Sequence, residues 1–219
     1  MKYTEPQPPV SALLTIDMQC DFVSPGAAAE IPGSNDIIAN IKSLLTAYRK
    51  CDLPIIHIVR LYMADGSNVD LCRRHMVEEG MRIIVPNTDG AELVEDLKPI
   101  PDVKLDADLL LKGDIQKWGK KEFVIYKPRW GAFYRTPLDN HLKNLGVNTL
   151  VICGCNFPNC PRATIFEASE RDYKVVLVED AVSGIYEKGK EELRHIDVRI
   201  WSTDTVHDKI GTEPFQKVD

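Results

Sequence analysis

Short, uniformly apolar runs separated by helix-length stretches constrain this chain more than any other feature. Ser11 to Ile16, Leu53 to Val59, Glu122 to Tyr126, Thr149 to Cys153, Lys174 to Val178 and Val198 to Trp201 are brief and rich in β-branched residues. Runs of that kind read as strands. Between the first two, Ile37, Ile38, Ile41, Leu44, Leu45 and Tyr48 recur at helical spacing, so this part of the chain reads as a βαβ unit. Strands without a polar face must be covered on both sides, and the parallel crossovers that cover them are right-handed. The expected fold is therefore α/β, a doubly wound sheet between two layers of helices.

Three of these runs end in chemically active residues. Ser11 to Ile16 runs into Asp17, Glu122 to Tyr126 runs into Lys127, and Thr149 to Cys153 leads through Gly154-Cys155-Asn156-Phe157-Pro158-Asn159 to Cys160. A charge closing a buried strand is costly unless it has a partner or a task, and ligands bind at the carboxyl ends of strands in open α/β sheets. Asp17 is a site candidate, with capping of the next turn as the alternative; Lys127 is another, unless it merely reaches out to water. Pro161 suits the first position of a helix, which places Cys160 at the N-cap. Sulfur at that end of a helix is expected to favour thiolate, with the N–H groups of the turn near any oxyanion formed there. The competing reading is a small buried cysteine.

Strand ends on one edge are neighbours in space, so Asp17, Lys127 and Cys160 are expected to meet in one crevice. There the lysine can favour the ionised sulfur, while the aspartate takes the thiol proton and returns it to a leaving amine.

The 219 residues, 44% hydrophobic, suffice for one well-cored domain spanning the chain, with residues 1–9 as a loose arm. Residues 60–100 read as a lid or substrate wall, where Asp65, Asp70, Arg73, Arg74, Glu78 and Glu79 either grip a ligand or form a solvated face. A net charge of -6 without a basic block argues against nucleic-acid and anionic-membrane partners, and it favours a neutral or cationic small molecule. No basic start with an apolar core and no bilayer-length run is seen, so a cytoplasmic location is expected. The six cysteines then read as free thiols. A metal cluster lacks its spacing, a thiol redox pair at Cys155 and Cys160 lacks the Cys-x-x-Cys form, and His57 reads as a satisfied core histidine.

Taken together, Asp17-x-Gln19-x-Asp21-Phe22, Lys127-Pro-Arg-Trp-Gly-Ala-Phe and Gly154 followed by Cys160 resemble the three motifs of the isochorismatase-like cysteine hydrolase superfamily. That superfamily includes nicotinamidases, N-carbamoylsarcosine amidases, ureidoacrylate amidases and biuret hydrolases. The resemblance implies a six-stranded parallel sheet, no cofactor, a homodimer or homotetramer, and hydrolysis of a non-peptide C–N bond in a small amide or lactam through a thioester. It further implies Asp17 as general base, Lys127 as the cation beside the nucleophile Cys160, and a cis peptide at Cys155–Asn156 that aims the N–H groups of Asn156 and Cys160 at the oxyanion. Gln19, Phe22, Trp130 and Phe157 are its implied substrate contacts.

The departures are Cys20 and Phe157, where Asn and Thr are common, Pro161 after the nucleophile, and Arg60-Leu-Tyr in place of the metal-binding Asp-x-His of nicotinamidases. The stretch Asn-Phe-Pro-Asn-Cys-Pro-Arg also resembles streptothricin hydrolases, which open a lactam in a cationic antibiotic. A non-catalytic binder on the same fold is the alternative to an enzyme.

Overall fold

In a computed structural model of the protein, residues 2–211 are described. In chain order they form β1 (Ser11–Ile16), α1 (Cys20–Val23), α2 (Ile38–Lys50), β2 (Ile55–Val59), α3 (Leu71–Glu78), α4 (Ala107–Leu111), β3 (Gln116–Lys117), β4 (Glu122–Tyr126), α5 (Leu138–Asn144), β5 (Thr149–Gly154), α6 (Cys160–Ser169), β6 (Lys174–Val182), α7 (Glu187–His195), β7 (Arg199–Trp201) and α8 (Thr203–Gly211). The strands make one sheet in the order β3-β4-β2-β1-β5-β6-β7.

The expectation of six parallel strands holds for all but β3. That strand has only two residues and pairs antiparallel with β4 at the edge, too short to leave a periodic trace in the sequence. The tail from residue 203, unassigned from sequence, is helical to Gly211; residues 212–219 of it lie outside the described residues.

Two apolar layers explain why the strands carry no polar face. Ala12, Leu14 and Ile16 of β1 pack with Leu138, Leu142 and Ile165 on one side of the sheet. Leu13, between them, packs with Ile41, Leu44 and Leu45 on the other. The alternation follows from the two-residue period of a strand. The parallel strands run outward in both directions from the β1–β5 pair, so the order reverses between those two strands. A reversal of this kind opens a crevice at the strands' carboxyl ends.

Candidate active site

The crevice takes one side chain from each neighbouring element. At the end of β1 the Asp17 N–H still donates to Ile58 O at 2.9 Å, and the backbone then turns through a left-handed φ of 53°. Aspartate tolerates that conformation better than most residues, and the turn throws its carboxylate off the sheet. β5 leaves the sheet at Gly154, where φ is 114° and a Cβ would collide with the backbone carbonyl of Ile16. Only glycine lets the two strands approach so closely.

The Cys155–Asn156 peptide is cis. The turn is anchored by the Phe157 N–H, which donates to Ser183 O at 2.8 Å, and α6 then begins. Its N-cap is Asn159 rather than Cys160, because the first i to i−4 bond of the helix runs from Ala163 N–H to Asn159 O. Cys160 is the first helical residue and Pro161 the second, which keeps the sulfur in the helix's first turn.

Lys127 starts two strands away from Asp17, a lateral distance of about 10 Å, so only a long side chain can close the gap. Its Nζ donates to Asp17 Oδ2 at 2.8 Å, to Cys160 Sγ at 3.2 Å and to Arg129 O at 3.4 Å. All three ammonium hydrogens are therefore engaged, and the lysine holds the acid and the sulfur at fixed places. Asp17 Oδ1 has no hydrogen-bond partner among the described residues. Neither the Asn156 N–H nor the Cys160 N–H donates to another group among them.

Cys160 is 6% exposed, Asp17 3% and Lys127 0%. Burial, followed by the Asp17 charge, pushes the Cys160 thiol up to about 12, against the opposing pull of Lys127 and Arg60. Desolvation thus works against the thiolate that the helix start and the lysine favour.

Arg60, at the end of β2, was not singled out in the sequence. It is 1% exposed, donates from Nη1 to Pro128 O at 3.0 Å and pairs with Asp70 at 2.8 Å. Its signal matched that of Asp17 and Lys127, a charge closing an apolar run. Its guanidinium stands 5.3 Å from the centre of the Trp130 ring, and that of Arg73 on α3 stands 5.2 Å from the same centre and 5.8 Å from that of Phe22.

Trp130 thus stacks with both guanidiniums and Phe22 with that of Arg73. Gln19 and Phe157 are taken up within the fold instead. The Gln19 amide donates to Arg60 O at 2.7 Å and to Ala91 O at 2.6 Å and accepts from the Arg60 N–H at 2.7 Å, so it stitches the 60–100 segment to β1 and has no N–H left for a substrate. Asp21 assists by accepting from the Ile84 N–H at 2.5 Å. Phe157 is fully buried against Tyr186 and against Gly189, where a Cβ would strike its ring. It fixes α7 to the turn between β5 and α6.

Behind the site, Thr164 accepts from the Ala132 N–H at 3.1 Å and Glu167 accepts from the Phe133 N–H at 2.8 Å. These bonds lock the Lys127 loop to α6. Among the described residues no three His, Cys, Asp or Glu side chains are grouped to hold a metal ion, and no helix is long and apolar enough to cross a membrane.

Comparison with known proteins gives a coherent result. Residues 11–107 and 106–195 match the family model of the isochorismatase domain. A protein of Arabidopsis thaliana named as a probable inactive nicotinamidase is 32% identical over 204 residues, which cover 90% of this chain and 93% of that protein. A ureidoacrylate amidohydrolase of Methylobacterium radiotolerans is 27% identical over 204 residues, covering 85% and 70%. The crystal structure of an isochorismatase family protein from Desulfovibrio vulgaris superposes with a TM-score of 0.78 at 34% identity, covering 91% of this chain and 97% of the other.

Proposed function

The chain belongs to the isochorismatase family, and we propose that it is a cysteine-dependent hydrolase of a non-peptide C–N bond, an amide or lactam, in a small molecule. The observation that carries this reading is the convergence of Lys127 Nζ on Asp17 Oδ2 at 2.8 Å and on Cys160 Sγ at 3.2 Å. Residues that start so far apart along the chain have no packing reason to meet in a buried place, where each costs desolvation energy.

The chemistry follows from the charges. In the resting site the sulfur holds its proton, and the unpartnered Asp17 Oδ1 is the acceptor that removes it as sulfur attacks the carbonyl. The negative charge that develops on the carbonyl oxygen is met by the N–H groups of Asn156 and Cys160. Asp17 returns the proton to the departing nitrogen, leaving a thioester. Water, activated by the same carboxylate, then releases the acid and restores the thiol. Lys127 holds Asp17 in place and offsets the charge that passes through sulfur. At the end of β2 the Arg60 guanidinium, paired with Asp70, stands where the resembled nicotinamidases carry Asp-x-His, so the reading assigns the chemistry to Asp17, Lys127 and Cys160 alone.

The name of the Arabidopsis thaliana relative supports a second reading, a binder that has lost catalysis. The complete Asp17, Lys127 and Cys160 set favours the enzyme. Incubation with a panel of small amides and lactams, quenched in acid and read by intact mass, tests the choice. An acyl adduct on wild type that is missing from Cys160→Ala supports the hydrolase; binding without adduct or turnover across the panel supports the binder.

A further inference from the structure

Resting on the nucleophile reading above, we infer that Arg73 forms an anion subsite and that the amide substrate carries a carboxylate. Each of the site's other cations faces a carboxylate, and this one does not. Asp17 answers Lys127 at 2.8 Å, while Asp70 answers Arg60 at 2.8 Å and Arg129 at 3.8 Å. No carboxylate among the described residues lies within ion-pair distance of Arg73. Its one hydrogen bond to a protein group among them runs from Nη1 to Tyr62 Oη at 3.1 Å, and that hydroxyl itself donates to Asp70 Oδ2 at 2.6 Å.

The arginine is nevertheless held in place. Its guanidinium rests over Trp130 and Phe22, at 5.2 Å and 5.8 Å from the ring centres. It is half-buried on α3, a helix that has no fully buried residue of its own. Burial opposes its charge, whereas Tyr62, Cys160 and Asp17 favour it. A fixed, partly desolvated guanidinium with free N–H groups is a fork for a carboxylate. An arginine that served only to hold α3 in place would gain by having an acidic partner, and none is supplied.

Two alkylating reagents that differ only in charge provide the test, because both report on Cys160. In each case a bond forms between Sγ and the reagent's methylene carbon, the carbon–iodine bond breaks, iodide departs and the thiol proton is lost. Iodoacetate carries a carboxylate and iodoacetamide does not. Rates at Cys160 are measured at pH 8 by site-resolved mass spectrometry, and the quantity read is the ratio of the iodoacetate rate to the iodoacetamide rate.

Arg73→Met should lower that ratio about fivefold or more, and Arg73→Lys should keep most of it. Loosening of α3, or a change in the sulfur's acidity, alters both rates together and leaves the ratio unchanged. A ratio unaltered in Arg73→Met overturns the anion subsite while leaving the nucleophile intact. Failure of Cys160 to react with either reagent in the wild type overturns the nucleophile assignment, and the subsite falls with it.

Discussion

Two buried charged networks sit at opposite ends of the same sheet, and they are built to different standards. At the amino end of β4, Glu122 accepts from Arg49 Nε at 2.9 Å, from Arg49 Nη2 at 2.7 Å and pairs with His57 Nε2 at 2.8 Å, while His57 Nδ1 meets Thr15 Oγ1 at 2.8 Å. Burial works to raise the Glu122 carboxyl, but these bonds outweigh it and hold the group down at about 2. At the carboxyl end, Asp17 Oδ1 has no partner among the described residues and Cys160 is kept from ionising. A network with every valence met stabilises the fold. A buried carboxylate oxygen left short of partners is free to accept a proton, which is the property the proposed reaction uses.

The sharpest way to break the comparison is to remove the sulfur. Cys160→Ala should lower amide hydrolysis by more than about a thousandfold, with a melting temperature close to wild type, because alanine fills most of the space a small thiol occupies. Retained activity by product assay would end the nucleophile assignment. Next in size, Asp17→Asn should cost about a hundred- to ten-thousandfold in turnover. It should also lower the pKa of Cys160, since the Asp17 charge is a cause of its elevation. Lys127→Met should raise that pKa, because the lysine pulls it down. Alkylation rate against pH reads both, and shifts in the same direction would contradict the assigned charges.

Those effects separate what was legible in the sequence from what was not. Asp17, Lys127 and Cys160 stood out because each interrupts or follows an apolar run at a strand's end, a pattern governed by burial cost. Arg60 broke the pattern in the same way but opens a charge-rich excursion, where a solvated face is the ordinary expectation. The burial that raises the Cys160 thiol was not legible, because a helix start is a local feature whereas that desolvation comes from residues far away in the chain. The overall charge is a separate matter from the local one: the chain carries a net -6, yet Lys127, Arg60 and Arg73 act on the Cys160 sulfur. β3 and α8 were missed because one has two residues and the other buries only Thr203 and Val206. The parallel sheet itself was plain, since two-sided burial dictates the composition of every long strand.

Striking the satisfied network should do the reverse of striking the site. Glu122→Gln leaves Arg49 and His57 without their anion and should cost about 2–4 kcal/mol of stability, or about 2–4 °C of melting temperature per kcal/mol in a chain of this size. The kcat should not change. The folded carboxyl is held at about 2 against an ordinary 4.5. Its contribution is therefore complete above the unfolded value and is lost as pH falls from there toward 2. Urea unfolding across that window should show a steeper loss in wild type than in Glu122→Gln; parallel curves would mean that the carboxyl is not stabilised by its neighbours.

The smallest effect isolates burial from geometry. Lys42 and Asp96 approach to 2.6 Å, closer than the 2.8 Å between Lys127 and Asp17, but their side chains are 55% and 58% exposed. Water screens such a pair, and ordering two mobile side chains offsets what remains. Lys42→Met should therefore change stability by no more than about 0.5 kcal/mol and leave turnover untouched. A denaturation midpoint that falls as far as that of Glu122→Gln would mean that separation, rather than desolvation, ranks these ion pairs. The contrast between the two ends of the sheet would then lose its physical basis.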